Sequence, residues 1–332
     1  MVEIVAELAQ GFEGNPEQAR LLLLASAKAN ADIAKFQLVY ADELATPDYQ
    51  YYDLFRSLEM DDDVWASLYE YANNLGVELA VDIFGVQSLQ LAEKLGLKTI
   101  KLHGTDTSNI GFLEQVAAST IPKVHLGAGG AYAGEIQRAL NILSNKKVIL
   151  SLGFQGYPTP NETNQIARVK LMVERFCVNN SSIQVGFADH APPDSPLSIA
   201  LAAMAIGAGA TLIEKHLTLG KVMVLEDHEA ALNPDEFSLF SSAIRECQAA
   251  FGTSQSDNDF GMSEVEKGYR QAIRRHVVAS RDLLPNIVIK PADLVLKRAS
   301  VKDVITDIES VYGKTLNKAV PGNTALASID IE

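Results

Sequence analysis

The sequence predicts a closed (β/α)8 barrel followed by a small β-rich domain. Short apolar runs alternate with helix-like segments eight times, and this alternation covers about the 250 residues that such a barrel needs. After Tyr269 the pattern changes to short strands separated by turn residues. A doubly wound open sheet would share the alternation, but the count of eight strands favours the closed barrel.

Each strand of the predicted barrel is followed by its helix. The strands are predicted at residues 4–8, 33–39, 77–84, 99–102, 123–126, 148–152, 183–187 and 211–214. The helices are predicted at 16–30, 61–75, 86–95, 110–119, 132–143, 162–176, 196–207 and 234–250. Asn15 and Pro16 open the first helix, and three acidic residues at 61–63 fill the first turn of the second. Gly96 closes the third helix.

The domain organisation follows from a change in composition. Residues 1–252 are predicted to form the barrel domain, 253–270 a polar linker without periodicity, and 271–332 the second domain. One short acidic helix is expected near 301–311. A domain of about 60 residues is small enough to depend on contacts with another domain for its stability.

Composition excludes several classes of partner. The chain has 42 acidic and 28 basic residues and a net charge of −14, which argues against nucleic acid or an anionic membrane as partner. No apolar run reaches the ~20 residues of a membrane helix, and the start lacks the plan of a signal peptide. Cys177 and Cys247 lack metal-type spacing, so we expect reduced thiols and a cytoplasmic location.

Two histidines stand where neighbouring strands end. His190 and His216 are one strand–helix–strand unit apart, so adjacent parallel strands would present both imidazoles at the same rim. With carboxylates expected nearby from Asp189, Glu214 and Asp227, this arrangement suits a divalent metal with open coordination positions. The alternative is a pair of rim histidines bonded to the backbone.

Other polar residues also fall at strand ends, where active groups of such barrels project. They are Glu7, Lys35, Gln37, Asp82, Lys101, His103, His125, Gln155 and Tyr157. Polar side chains are costly inside a barrel unless they are used or paired. Lys35 and Lys101 suit the binding of phosphate or carboxylate, with a Schiff-base lysine as the rival use. The turn at 127–130 precedes a helix and offers backbone N–H groups to the same anion.

In this order, the motifs resemble those of the N-acetylneuraminate (sialic acid) synthase family along nearly the whole chain. The matching segments are Ile4-Val5-Ala6-Glu7, Ala34-Lys35-Phe36-Gln37, Ile100-Lys101, Glu135-Ile136, Tyr157-Pro158-Thr159-Pro160, Asp189-His190, Gly207-Ala208, Ile213-Glu214-Lys215-His216-Leu217-Thr218, Asp227-His228 and Asn233-Pro234. The tail resembles the family's antifreeze-protein-like (SAF) domain at Val277-Val278-Ala279, Lys297-Arg298, Gly313-Lys314 and Ile329-Asp330-Ile331.

The resemblance implies a transferase that joins phosphoenolpyruvate to the aldehyde of an open-chain N-acylamino sugar. It implies that His190 and His216 hold a divalent metal (Mn²⁺ or Mg²⁺) that acts as a Lewis acid. Together with the strand-end positions, the resemblance leads us to expect a catalytic set of Glu7, Lys35, Lys101 and Glu214. The expected substrate-binding set is Gln37, His103, His125, Gln155, Tyr157, Asp189, Asp227 and Arg298, in which His103, His125 and Gln155 rest on their strand-end positions alone. The resemblance further implies a domain-swapped homodimer in which Arg298 reaches the partner subunit's sugar site.

The chain departs from the family's pattern around the expected phosphate. Asp82, Gly104, Gly127 and Ala188 stand where threonine or serine is expected, and Gln155 stands where asparagine is. Gly11-Phe12 replaces an Asn-His pair. Each lost hydroxyl–phosphate bond is worth ~1.5–3 kcal/mol, and an aspartate near a dianion is unfavourable. His103 and His125 lie close enough to replace these donors, to bind a different substrate, or to serve packing alone.

Three functions therefore remain open at this stage. The first is the synthase of a sialic-acid-like 2-keto sugar acid. The second keeps the barrel and the metal but uses another donor, in an aldol reaction through Lys35 or Lys101. The third is a non-catalytic sugar-binding relative that has lost its phosphate site. Retention of both histidines, both lysines, Asp227 and Arg298 together argues against the third.

Overall fold

In the computed structural model, eight parallel strands close on themselves to form a barrel, as the sequence predicts. The structure describes residues 2–153, 156–252, 258–300 and 303–332. The strands are β1 Glu3–Ala9, β2 Ile33–Leu38, β3 Glu78–Ile83, β4 Thr99–Leu102, β5 Lys123–Gly127, β6 Lys147–Leu152, β7 Ile183–Asp189 and β8 Leu212–His216. Each strand pairs with the next, and β1 pairs with β8, so the sheet has no free edge.

The helices around the barrel include two short ones that the sequence did not predict. They are α1 Pro16–Lys28, α2 Ala41–Leu44, α3 Tyr52–Ser57, α4 Asp62–Leu75, α5 Val86–Leu95, α6 Ile110–Ala118, α7 Ala133–Ile142, α8 Ala167–Met172, α9 Ser198–Gly207 and α10 Pro234–Phe251. The additional helices α2 and α3 lie between β2 and α4. Asn15 caps α1 by accepting bonds from the backbone N–H groups of Glu17 and Gln18.

The main core lies between the strands and the helices. There Trp65 packs edge-on against Phe12 and Phe36, at ring-centroid distances of 5.7 and 5.9 Å. Phe12, one of the departures from the family pattern, is fully buried in this core. Its role in this structure is therefore packing.

A second apolar cluster occupies the barrel interior and sets the position of the polar residues. It consists of Val5, Ile33, Ala80, Ile149 and Leu212. Because side chains on one face of a strand recur every second residue, the same face carries a polar residue two positions further along each strand. Those residues are Glu7, Lys35, Asp82, Ser151 and Glu214. The floor of the barrel is thus apolar, and its C-terminal half is polar.

The chain divides into two units, Met1–Gly252 and Thr253–Glu332. The second unit contains α11 Glu264–Ile273 and an antiparallel pair of strands, β9 His276–Ala279 and β10 Leu294–Lys297. Most of α11 falls in the range 253–270 that was predicted as a linker. The helix begins at a capping box formed by Ser263 and Glu266, a signal that the sequence carries and that the linker prediction overlooked.

The second unit has an apolar core of its own. Val277, Leu283, Leu316 and Leu326 are among its buried members. The acidic helix expected near 301–311 lies partly outside the described residues, and the described part forms a single short turn at Glu309–Val311. Across the described residues of both units, every helix is too short or too polar to cross a bilayer.

Candidate active site

Five charged side chains meet in the C-terminal half of the barrel. This five-group cluster consists of Glu7, Lys35, Asp82, Lys101 and Glu214. Lys35 Nζ donates to Asp82 Oδ1 at 2.7 Å and to Glu7 Oε2, and it lies 3.8 Å from Glu214 Oε2. Lys101 Nζ donates to Glu214 Oε1 at 2.6 Å and lies 3.7 Å from Glu7 Oε2 and 3.9 Å from Asp82 Oδ2. Each lysine therefore contacts all three carboxylates.

Strand register brings these residues together. Glu7 on β1 stands opposite Lys35 on β2 and opposite His216 on β8. Asp82 on β3 stands opposite Lys101 on β4. Since neighbouring parallel strands keep opposite residues side by side, charges from five strands converge although they are far apart in sequence.

Burial makes the protonation states in the cluster unequal. Desolvation raises the pKa of Glu7 to about 8, although Lys35 opposes the shift. Burial would also raise the pKa of Glu214, but Lys101 and Lys35 outweigh it and hold that pKa well below its usual value. Burial disfavours the ammonium of Lys35, yet the carboxylates of Asp82, Glu214 and Glu7 raise its pKa well above normal. Of the two glutamates in the cluster, Glu7 is therefore the one that takes up a proton more readily.

A cavity of about 300 Å³ opens above this cluster. Nine of the predicted site and strand-end residues line it: Glu7, Gln37, Asp82, Lys101, His103, Tyr157, His190, His216 and Asp227. Lys35 and Glu214 are fully buried at their side chains and lie outside this lining. Of the two predicted lysines, Lys101 is therefore the one that faces the cavity. Lys35 is separated from the cavity by the carboxylates that it contacts.

His190 and His216 lie side by side at the rim, as the sequence predicts. Their ring centroids are 5.2 Å apart, and Tyr157 packs against both rings at 5.8 and 5.5 Å. Burial lowers the pKa of His190 to about 4 and, together with the nearby His190, lowers that of His216 well below its usual value. Both imidazoles are therefore neutral near pH 7, which is the form that binds metals.

Two of the three carboxylates expected beside the two histidines are engaged elsewhere, while the third, Asp227, lines the same cavity as the histidines. Glu214 bonds Lys101, and Asp189 is held by Lys215 and by the backbone N–H of Ala191. Among the described residues, no group of three or more histidine, cysteine or acidic side chains is arranged to hold a metal. The pair thus fits a divalent ion that takes two protein ligands and leaves its other positions to water and substrate.

Asp189, which was predicted to bind substrate, has a fully buried side chain that lies outside the lining of the cavity. Its contact with substrate stays a prediction. Asp189 Oδ2 lies 3.4 Å from Lys215 Nζ, which also donates to the carbonyl of Ala191 at 2.8 Å. This buried pair fixes the end of β7, and so it positions the adjacent His190.

His125 also lies below the cavity. It is fully buried on β5, opposite Lys101, and neither ring nitrogen has a hydrogen-bond partner among the described residues. Burial lowers its pKa to about 3, so the ring is neutral. This imidazole contacts the charged cluster electrostatically, and the direct substrate contact predicted for it is not found in the cavity lining.

Two cavity-lining hydroxyls were missed by sequence reasoning. Ser151 lines the cavity from β6, and its buried Oγ has no partner within the described chain. Thr105 lines it from the turn after β4, where its Oγ1 lies 3.1 Å from His103 Nδ1. Ser151 directly follows the apolar run 148–150, so the strand-end rule that selected the other residues would also have found it.

Packing explains two of the missing hydroxyls. A Cβ atom on Gly127 would lie 2.5 Å from the backbone nitrogen of Gly104, and one on Gly104 would lie 2.7 Å from the carbonyl oxygen of Gly129. The backbones after β4 and β5 therefore approach too closely for any side chain. The turn at 127–130 lines the cavity through Gly127 and Gly129.

The opposite side of the cavity carries an amide, a phenol and one carboxyl group, from Gln37, Tyr157 and Asp227. Gln37 Oε1 accepts a hydrogen bond from Gln10 Nε2 at 2.7 Å, and Tyr157 donates its hydroxyl to the carbonyl of Asp227. Burial raises the pKa of Asp227 to about 6. A second cavity of about 440 Å³ shares Gln37, His103 and Thr105 with the first, so the two adjoin at these residues.

Two further predicted residues cannot be placed in the cavity. Gln155 lies outside the described residues. Arg298 is exposed in the second unit, immediately after β10. Its predicted contact with a partner subunit's sugar stays a prediction.

Comparison with known proteins identifies relatives of the whole chain. The NeuB family profile matches residues 22–256. The N,N'-diacetyllegionaminic acid synthase of Legionella pneumophila is 27% identical over 351 residues, covering 99% of this chain and 94% of the relative. A pseudaminic acid synthase of Campylobacter jejuni is 24% identical over 347 residues, covering 99% and 96%.

A solved structure shares the fold over its full length. The crystal structure of a putative spore coat polysaccharide biosynthesis protein E from Chromobacterium violaceum superposes with a TM-score of 0.84 and covers 100% of both chains. At 20% sequence identity, this likeness is evidence of fold alone.

Proposed function

The chain belongs to the NeuB family, and we propose that it joins phosphoenolpyruvate to the aldehyde of an open-chain N-acylamino sugar or related aldose. The products are a 2-keto-3-deoxy sugar acid and free phosphate, so the enzyme is a carbon–carbon bond-forming transferase. The observation that carries the proposal is one cavity with an ammonium, a neutral pair of imidazoles and hydroxyl and amide groups around it. An anionic donor and a carbonyl acceptor can meet there.

Lys101 is the proposed receptor of the donor. Its Nζ is the one ammonium or guanidinium among the described residues that line the cavity, and its side chain is 12% exposed. The unpartnered Oγ of Ser151 and the His103–Thr105 pair supply further hydrogen bonds to the donor's anionic groups. These groups stand in for the hydroxyls whose absence the sequence records at 104 and 127.

His190 and His216 are the proposed ligands of a divalent metal, Mn²⁺ or Mg²⁺. When bound, such a metal supplies Lewis-acid polarisation of a carbonyl oxygen. The fit rests on two neutral imidazoles 5.2 Å apart at the cavity rim. Tyr157 packs against both rings and so limits their rotation.

The acceptor is proposed to lie against Gln37, Tyr157 and Asp227, with its far substituents in the second cavity. Attack of the donor's third carbon on the aldehyde carbon forms the new bond. Water then adds to the donor's second carbon, and loss of phosphate leaves the 2-keto acid. Glu7 lines the cavity and its pKa is raised by burial, so its carboxyl can hold or donate a proton there.

A second donor is favoured by one observation. Asp82 places a carboxylate in the wall of the donor end, which favours a donor of lower charge than phosphoenolpyruvate, such as pyruvate. A Schiff base on Lys35 does not fit, because this side chain is fully buried and its pKa is raised, which keeps it protonated. Lys101 is the remaining candidate for such chemistry.

The remaining proposals concern assembly and location. We propose a homodimer in which the second unit, an SAF-type domain, places Arg298 at the partner subunit's sugar site. Arginine suits the recognition of a carboxylate or a polar sugar face. Cys177 and Cys247 are both unpaired, which is consistent with the proposed cytoplasmic location.

Phosphate release tests the proposal. The full-length protein is incubated with Mn²⁺, phosphoenolpyruvate and a panel of N-acyl hexosamines, and free phosphate is measured. We expect release that needs both the sugar and the metal and that Lys101→Met abolishes. Release that is independent of the sugar, or no release with any member of the panel, would overturn the proposed function.

A further inference from the structure

One of the two active-site lysines already has its charge satisfied by the protein. Lys35 Nζ is fully buried and is held by Asp82 Oδ1 at 2.7 Å and by Glu7 Oε2, with Glu214 Oε2 at 3.8 Å. A ligand in the cavity contacts the carboxylates and not this ammonium. The carboxylates around Lys35 therefore offset the attraction that its ammonium would exert on an anionic ligand.

Two members of the five-group cluster, Glu7 and Asp82, contact both lysines and also line the cavity. Burial raises the pKa of Glu7, which makes it the less readily ionised of the two. Asp82 bonds Lys35 through Oδ1 and lies 3.9 Å from Lys101 through Oδ2. Glu214, in contrast, lies behind Lys101 and outside the cavity lining. Asp82 thus offsets positive charge and also presents its own negative charge to an incoming anion.

The charges at the donor end consequently favour a weakly charged ligand. Lys101 shares the cavity lining with the carboxyl groups of Glu7, Asp82 and Asp227, and the first two lie 3.7 and 3.9 Å from its Nζ. A phosphate dianion gains from one ammonium and is repelled by an ionised carboxylate within a few ångströms. In a site that is only partly wet, such a repulsion is worth a large factor in affinity.

We propose that Asp82 is the residue that sets a low affinity for phosphate dianions at the donor end of this cavity. This inference rests on the proposed function, because it assigns the donor's anionic group to Lys101. It makes Asp82 a specificity-determining residue. With the Asp82 side chain in place, a carboxylate monoanion competes well with phosphate, and with a neutral residue substituted at this position, phosphate is preferred.

The test compares Asp82→Asn with the unaltered chain. Asparagine keeps the size of the side chain and an oxygen that can accept from Lys35, so the change removes charge with little loss of shape. Dissociation constants for inorganic phosphate are measured by calorimetry, at a pH where the dianion dominates and with Mn²⁺ fixed. Pyruvate serves as the monoanion probe. Asp63→Asn, an exposed site on α4, controls for net charge.

We expect Asp82→Asn to bind phosphate at least ~10-fold more tightly, to bind pyruvate with a smaller gain, and Asp63→Asn to change neither. Equal phosphate affinity in Asp82→Asn and the unaltered chain would overturn the inference. Asp82→Ser is a second variant, with the same expectation, in case the first does not fold. The unaltered chain gives its own test, since phosphate binding much tighter than pyruvate binding would also overturn the inference.

Failure of this inference is distinguishable from failure of the proposed function. The binding assay contains no sugar and needs no turnover. Tighter phosphate binding by Asp82→Asn, without sugar-dependent phosphate release in any variant, would support the inference and reject the proposed reaction. Sugar-dependent phosphate release, together with unchanged phosphate binding in Asp82→Asn, would support the proposed reaction and overturn the inference.

Discussion

Replacing Lys35 with methionine should destabilise the barrel far more than the loss of an ordinary lysine. Lys35 is fully buried and lies within 4 Å of three carboxylates. Methionine fills much of the same space but carries no charge, so Asp82 and Glu214 keep only Lys101 as counter-ion. Breaking a buried ion pair by removing one partner typically costs about 3–5 kcal/mol.

The measurement is reversible unfolding in denaturant, with Lys94→Met as the matched control. Lys94 pairs with Asp62 at 2.9 Å, but both side chains are largely exposed, at 66% and 48%. Exposed pairs contribute ~0–1 kcal/mol, so this control should stay close to the unaltered chain. For a barrel of this size, the loss in Lys35→Met corresponds to a melting temperature lower by about 2–4 °C for each kcal/mol.

A double variant tests the cause of the loss. Lys35→Met combined with Asp82→Leu removes one charge of each sign, so it should recover part of the stability lost in the single variant, with a coupling of about 0.5–3 kcal/mol. Equal stability of Lys35→Met and Lys94→Met would refute the claim that the five-group cluster is a buried ion network. Strictly additive losses in the double variant would refute the pairing with Asp82.

Three further predictions concern the metal, the pH dependence and the dimer. His190→Ala and His216→Ala should each weaken Mn²⁺ binding at least ~10-fold by calorimetry, and unchanged affinity in both would exclude this site. Burial raises the pKa of Glu7 in the folded protein to about 8, so its contribution to stability is full below its unfolded pKa and is lost as pH rises towards 8. Glu7→Gln should therefore flatten the decline in unfolding free energy between pH 6.5 and 8. An unchanged slope in this variant would contradict the raised pKa of Glu7. Mixing inactive His216→Ala and Arg298→Ala chains should restore partial activity, whereas no recovery despite demonstrated subunit exchange would argue against a shared site.

The barrel itself could be predicted because its signals are local. Apolar periodicity, capping residues and terminal glycines within about 15 residues indicate each strand and most helices. The helices α2 and α3 were missed because their segment is short and mostly exposed, so no apolar periodicity marks it. They belong to the long connection between β2 and α4.

The location of the site could also be predicted, but the pairing of its charges could not. The rule that active groups project from strand ends found His190, His216 and Lys101. The bond between Lys35 and Asp82 joins residues 47 positions apart and depends on the register of β2 against β3. No local pattern encodes that register, so Lys35 was expected to face a ligand and instead lies buried behind carboxylates.

The buried pair of Asp189 and Lys215 was missed for the same reason. Both residues stand in motif-like segments at strand ends, which made a substrate contact the natural prediction for Asp189. The structure turns the two side chains towards each other, away from the cavity. Whether a strand-end residue points into the cavity or away from it depends on its phase in the strand, and β7 extends two residues further than predicted.

Labelled donor shows whether this chain forms a carbon–carbon bond between phosphoenolpyruvate and an amino sugar. Phosphoenolpyruvate carrying ¹³C at its third carbon is incubated with the protein, Mn²⁺ and an N-acyl hexosamine, and the label is followed by NMR. We expect a new methylene signal coupled to the former aldehyde position of the sugar, appearing together with free phosphate. Label that appears only as the methyl group of pyruvate, or that remains in phosphoenolpyruvate with every acceptor, would contradict this expectation.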